Sequence, residues 1–359
     1  MRCATAIAVT AWTMPILLCS GCPDWASDAN RPVISLEDVT DDSVFYVYAD
    51  APYAEGELRR LDLATGEKTR LVLPPGASTS YLTVQGDWYV AHLIGRKGKP
   101  VSMEAVHIPT GQRVVIYESQ SGVWWPDSYR LRNGKVALLA GASLDVFDLA
   151  TEEVVHQILL PEPASSIDAW SEDLMLMVIA YGDASRNDFA FIDLATEEVT
   201  PIPKPGGNWE YSPDESIHRD SLVRSGTERL SATRRRLAVL YLDAETETWR
   251  EVVDYGQYEE RLSGSSYSLI GLSGQDGTRV AVEYQRVEGF RTVEHRVELL
   301  DLASGTRRIL AASTPGPFAL HNMTGVIMRN GRVYWIDPAR SALFIHNLEG
   351  GSEEYVDFD

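Results

Sequence analysis

The chain has 359 residues, 44% of them apolar, with 32 basic against 52 acidic side chains and a formal charge of -20. A surface this acidic argues against nucleic acid as a partner and against general attraction to anionic lipid, and it favours solubility. Three cysteines cannot staple so long a chain, so the fold must rest on an apolar core, which a chain of this length can supply.

The first element in chain order is a targeting segment. Arg2 is followed by a mostly apolar run from Ala4 to Leu18, too short to span a bilayer comfortably and of the kind found at the centre of signal peptides. Leu18-Cys19-Ser20-Gly21-Cys22 comes next. It resembles a bacterial lipobox, in which small residues precede a cysteine that is lipidated and becomes the mature N-terminus. Here the leucine stands four residues before Cys22, where three is usual. Cleavage before Cys22 would leave it as the one mature cysteine, and a lipid would explain an exported protein with a single thiol. The expected organisation is a lipoprotein-type signal peptide over 1–21, a polar linker over 22–32 and one domain over 33–359. The expected place is the cell envelope, on the extracytoplasmic side of a bacterial membrane, in the periplasm or at the cell surface. Membrane contact would run through the lipid anchor alone.

From Val33 onward one segment recurs: LRRLDLATGEKTRLVL, EAVHIPTGQRVVIY, LDVFDLATEEVVHQIL, FAFIDLATEEVTPI, AVLYLDAETETWREVV, VELLDLASGTRRIL and LFIHNLEGGSEEYVDF. Each is an apolar run, a polar turn and a second alternating run, which is the pattern of a β-hairpin. The turns centre near Thr65, Thr110, Thr151, Thr196, Glu245, Ser304 and Gly350, at steps of 45, 41, 45, 49, 59 and 46 residues. A weaker turn precedes each hairpin: Thr40 to Ser43, Gln85 to Asp87, Asn133 to Lys135, Ser171 to Asp173, Ser212 to Glu215, Gln275 to Thr278 and Asn330 to Arg332. Two hairpins per repeat give four antiparallel strands. Runs such as SVFYVY and DFAFI are apolar on both faces, as strands buried between two packed sheets should be. The expected fold is therefore all-β, a β-propeller of seven four-stranded antiparallel blades. Val33 to Leu36 should start blade one as an inner strand, and Glu353 to Phe358 should be the outer strand of blade seven.

The stretches EYSPDES and LSGQDGTRVAV resemble the S-P-D-G turn and strand of TolB-like periplasmic propellers, and the D-L-A-T-G-E hairpin recurs in WD-repeat-like bacterial propellers. The resemblance covers nearly the whole mature chain. Its motifs are blade motifs, so what it implies is the fold.

Asp62, Asp148, Asp193, Asp243 and Asp301 hold the same place in five hairpins. Five carboxylates invite a metal or acid–base reading, but an Asp at a turn accepts backbone N–H bonds and ends the strand, and repetition in blade after blade is what turn chemistry predicts. The seven histidines form no close pair at metal-ligand spacing, and no nucleophile motif of the G-x-S-x-G type occurs. Trp124-Trp125 could stack a sugar or peptide, though wedging between blades is the commoner use of such a pair. No metal site, catalytic set or cofactor is expected from these patterns.

Insertions fall unevenly. Ser225 to Arg236 and Tyr284 to His295 are long second-to-third-strand connections, and the junction from blade five to blade six is long as well. In an up-and-down meander these emerge on one face, and repeat proteins place insertions on the binding face. The candidate partner-binding residues are Arg229, Arg234, Arg235, Arg236, Tyr255, Tyr258, Tyr284, Arg286, Phe290 and Arg291, since Arg and Tyr anchor interfaces. Arg96, Lys97 and Lys99 add a basic loop on the same face. The function expected is a membrane-anchored binding or scaffold module for a protein or an anionic polymer, acting as a monomer. The alternative is a propeller hydrolase or lyase with its site in the central funnel.

Overall fold

A computed structural model describes residues 32–50, 55–93, 102–118, 126–171, 173–181, 188–206, 209–218, 221–243, 246, 248–259, 266–276, 278–288, 291–313, 325–337 and 340–358. They form twenty-eight strands in seven separate sheets of four. Every strand pairs antiparallel with its sequence neighbour inside its own sheet. The first strands of the seven sheets touch one another in a closed ring, so they line the axis and the fourth strands lie at the rim. The protein is a seven-bladed β-propeller.

The both-face apolarity of the middle strands has a direct structural reason. In blade two, Val90 packs toward blade three while Tyr89 and Ala91 pack toward blade one. In blade six, Val280 and Val282 face blade five while Ala281 faces blade seven. Seven apolar clusters result, one in each seam between adjacent blades, and burial of these seams holds the ring together.

Closure follows the expected pattern. Val33–Val39 pairs only with Ser43–Ala49, and Glu353–Asp357 only with Ala342–Asn347, so each terminal blade is complete from its own segment. The first and last blades meet through Ile34, Leu36 and Tyr46 on one side and Tyr334, Ile336 and Phe358 on the other. Gly325 sits against this seam at φ +89°, and a Cβ there would lie 3.0 Å from the Leu36 carbonyl oxygen. Lys68 also donates to the Asp357 carbonyl at 2.7 Å, joining the two rims.

Two details differ from the expectation. Ser212 to Glu215 is not a turn: it lies inside the first strand of blade five, Trp209–His218, where three residues between Tyr211 and Glu215 oppose one on the partner strand. Pro213 has no N–H to give the ladder, and the chain absorbs it as a bulge. The first and second strands stay paired as far as His218 and Ser221. The segments read as long loops in blades five and six are also mostly strand. Ser221–Arg229 pairs with Arg234–Asp243 as far as Arg229 and Arg235, and Arg279–Glu288 with Arg291–Asp301 as far as Glu288 and Arg291.

Candidate functional site

The five repeated aspartates act in their turns. The Asp62 carboxylate accepts from Ala64 N at 3.0 Å and Thr65 N at 2.8 Å. Asp148 does the same with Ala150 and Thr151, Asp193 with Ala195 and Thr196, Asp243 with Thr246, and Asp301 with Ser304. Asn347 takes the place in blade seven, accepting from Glu349 N and Gly350 N. Bonds from the backbone N–H and hydroxyl of Thr65 hold Asp62 below the usual carboxylate range, and those of Ser304 do so for Asp301.

The candidate surface is the end of blades five and six where the second strand meets the third. The strand ladder there runs on past the height of neighbouring blades. From its first turn outward, the second strand is six residues long in blade four, nine in blade five and ten in blade six. At a rise of about 3.3 Å per residue, three or four extra residues add roughly 10–13 Å. At the tip of blade five, Arg229 pairs in register with Arg235, and Arg229, Leu230 and Arg234 are exposed. The turn is closed by Leu230 N and Ser231 N, both donating to the Arg234 carbonyl.

Several of the predicted residues have partners within the molecule. Arg236 pairs with Glu228 at 2.8 Å, Glu251 at 3.0 Å and Asp254 at 3.6 Å, so three carboxylates surround it. Arg286 pairs with Glu294 at 3.3 Å. Tyr284 is 4% exposed and stacks on Tyr255 at 5.1 Å between centroids, joining the two blades. Arg296 lies over Tyr284 and Arg307 over Tyr255, while the Tyr255 phenol donates to Glu298 at 2.8 Å. Burial first, then the Glu298 carboxylate, pushes that phenol far up. Tyr258 is half-buried against the same seam. The backbone of Arg291 opens the third strand of blade six, but its side chain and Phe290 lie outside the described residues, as do Arg96, Lys97, Lys99 and Trp124-Trp125. Arg229, Arg234 and Arg235 are therefore the part of the set that clusters at a projecting tip.

A second polar assembly lies at the axis and was not singled out from sequence. Glu37 is the extra residue of a bulge in the innermost strand of blade one, between Leu36 and Asp38. Burial pushes its carboxyl up to about 7, opposed by a bond to the Ser35 hydroxyl and helped by the neighbouring Asp38 charge. Tyr129, on the first strand of blade three, is close enough to feel the Glu37 charge, and its hydroxyl shares a 2.9 Å hydrogen bond with Thr83 of blade two. Asp38 is buried, with its carboxyl raised for that reason, and it accepts from Gly86 N at 2.6 Å. Arg329 of blade seven stands 3.6 Å from it. On the far side of the axis, Asp168 of blade four pairs with Arg224 of blade five at 3.3 Å, both almost fully buried. The Glu37-Asp38 doublet in a first strand was the available signal, but the bulge that turns it inward depends on strand pairing. Among the described residues, no group of three or more His, Cys, Asp or Glu side chains is placed to hold a metal ion.

No family model matches the chain, and no curated protein is significantly similar to it in sequence. Among solved structures the fold is similar to a prolyl endopeptidase, at 13% identity and a TM-score of 0.53, over 90% of this chain and 49% of that one. It is similar to the tricorn protease at 9% identity and a TM-score of 0.53, over 91% of this chain and 35% of that one. Hydrazine synthase from Kuenenia stuttgartiensis matches over 94% of this chain and 98% of that one, at 14% identity and a TM-score of 0.46. Identities this low carry the fold alone. This chain spans less than half the length of either peptidase.

Proposed function

We propose that this protein is a lipid-anchored binding module of the bacterial cell envelope, a TolB-like propeller whose blade five–six end receives a protein or an anionic polymer. The observation that carries this reading is the extension of paired strands in two adjacent blades, ending at blade five in an exposed arginine tip. Extra length in surface segments costs little closure entropy, so insertions are permitted anywhere, and their concentration in one sector supports a selected use. Arginine can hold a carboxylate or phosphate through paired hydrogen bonds, which suits an acidic partner and repels further copies of this acidic protein. The anchor is Cys22. Its test is Cys22→Ser followed by cell fractionation and mass measurement: the variant should leave the detergent phase. The test of the site is recovery of a partner from solubilised envelope with wild type and with Arg229→Glu, Arg235→Glu, Arg291→Glu. Recovery should fall in the variant and as salt rises. Recovery unchanged by either would exclude this site.

One observation favours a second reading. A carboxyl held near pH 7 on a first strand, near a half-buried tyrosine that shares a hydrogen bond with a threonine, is the kind of group a hydrolase or lyase uses for proton transfer. The purified protein with Glu37→Gln, compared with wild type on peptide and polysaccharide panels, tests it. Turnover by wild type that is lost in the variant would support the enzyme; no turnover on any panel by wild type would count against it.

A further inference from the structure

The route of the chain into the fold says which way the extended end faces. Strand direction alternates within each blade, so the start of a first strand, the end of a second and the start of a third all lie on one face. In blade five, Trp209 at the start of the first strand stands opposite Glu228, and Glu228 opposite Arg236, at the foot of the projecting tip. Val33 begins the first strand of blade one on that same face, opposite Ala49 at the end of the second. The connection from Cys22 to Val33 contains ten residues and spans at most about 35 Å when fully extended. A lipid on Cys22 therefore holds the face that carries the arginine tip toward the membrane, not the opposite face with the aspartate turns.

We infer that the tip of the blade five hairpin rests against the anionic headgroups of the membrane that holds the anchor. The inference depends on the anchoring reading above and gives its site a definite surface. The chemistry of the tip fits. Residues 227–236 contain four arginines and one glutamate, and that glutamate, Glu228, is engaged by Arg236. Glu259 stands opposite Arg234 in the neighbouring strand, so the tip is basic without being uniformly so. Leu230, 40% exposed, lies at the apex between Arg229 and Arg234. An apolar apex flanked by guanidinium groups suits a headgroup layer: the leucine can enter the interface while arginines bond lipid phosphates. The described middle strands of blades two, three, four and seven end about 10 Å behind the tip, more than the Debye length of about 8 Å at physiological salt. Repulsion by acidic residues on those strands is thus screened where attraction by the tip is not. The anchor supplies proximity, and the tip supplies orientation.

The experiment uses the full lipidated chain reconstituted in phosphatidylcholine vesicles with and without phosphatidylglycerol. Cys22 is the one mature cysteine, and acylation blocks its thiol, so Ala232→Cys at the tip or Glu67→Cys on the opposite face can each be labelled with a fluorophore. Quenching by headgroup spin-labelled lipid is then read. Quenching at 232 should exceed that at 67 severalfold in vesicles containing phosphatidylglycerol. It should fall toward the level at 67 with added salt, and also in the background of Arg229→Glu, Arg234→Glu and Arg235→Glu. The salt titration of wild type keeps the test decisive if that triple variant folds poorly. Equal quenching at the two positions, or a tip signal indifferent to salt and to phosphatidylglycerol, would overturn the inference, and capture of an acidic protein through the same arginines would then identify the surface they read. The acyl mass on Cys22 is measured first. An unacylated chain would remove the anchoring reading and this inference with it, whereas an acylated chain without tip quenching removes the inference alone.

Discussion

Blades two, three, four and seven are built to one height, and blades five and six to another. The middle strands of the first group have six residues each; those of blades five and six have nine to eleven. Up to the common height the seams are mainly aliphatic, as with Leu139, Leu144 and Ile179 between blades three and four. Near its upper limit and above it the chemistry changes to a buried Glu283–His295 pair at 2.9 Å, the Tyr255–Tyr284 stack with its flanking arginines, and Arg236 among three carboxylates. The difference teaches that a blade can outgrow its neighbours only if the added length supplies its own packing. A face no longer covered by an adjacent aliphatic sheet must satisfy its polar groups through ion pairs, stacked rings and hydrogen bonds.

That comparison can be broken at the stack. Tyr284→Ala should lower unfolding free energy by about 3–4 kcal/mol, because it removes a buried ring that both Tyr255 and Arg296 pack against. Urea denaturation measures it, and a loss no larger than that of an exposed substitution would show that the stack at the base of the extension contributes nothing to stability.

The axis of the short blades gives the next effect. The Glu37 carboxyl is raised in the folded state to about 7 from an ordinary 4.5, so the folded protein keeps its proton longer than the unfolded chain. Its contribution to stability is therefore full below the unfolded value and is lost as pH rises from there through about 7. The loss should be on the order of 2 kcal/mol across that window, after allowance for partial solvent access. Glu37→Gln should flatten this part of the stability–pH curve. An unchanged slope in the variant would place the titrating group elsewhere.

The repeated turns should matter less. Asp148 is held below the usual carboxylate range by its bond with Lys135 and by the amides of Thr151 and Ala150, so its contribution is present above its unfolded value and lost as pH falls through the folded one. Asp148→Ala should cost about 1 kcal/mol at neutral pH. An equal loss from Asp193→Ala would confirm that the turns are interchangeable parts of the short blades.

The smallest effect on stability belongs to the tip. Arg229→Ala and Arg234→Ala should each change unfolding free energy by less than about 0.5 kcal/mol, as exposed substitutions usually do. They should still weaken surface binding. Melting curves that shift by more than this would mean that the tip is structural.

Much of this was legible before any coordinates. The blade number follows from a repeat that spends two turns per period. The role of Asp62 and its counterparts follows from hydrogen bonds that reach only two or three residues along the chain. S-P-D-E has the composition of a turn, and only the ladder before and after Pro213 along its strand reveals a bulge. The segment from Ser225 to Arg236 reads as a loop because its arginines, serines and threonines interrupt the apolar runs of the two strands that pair through it. Tyr284 and Arg236 looked available for a partner because their own partners are distant in sequence or lie on separate strands.

The amino-acid sequence by itself determined the class of fold, the number of blades, the place of most of the described turns, and the two-faced apolarity of the middle strands. These depend on local backbone bonds and on the period of the apolar pattern. Tertiary structure alone decided that Glu37 is carried on a bulge and comes near Tyr129 of another blade, that Arg236 is taken up by three carboxylates while Arg229 is exposed, and that Val33 enters on the face of the blade five tip. Each of these depends on strand register and on the height at which neighbouring blades end, quantities set by packing between segments far apart in the chain.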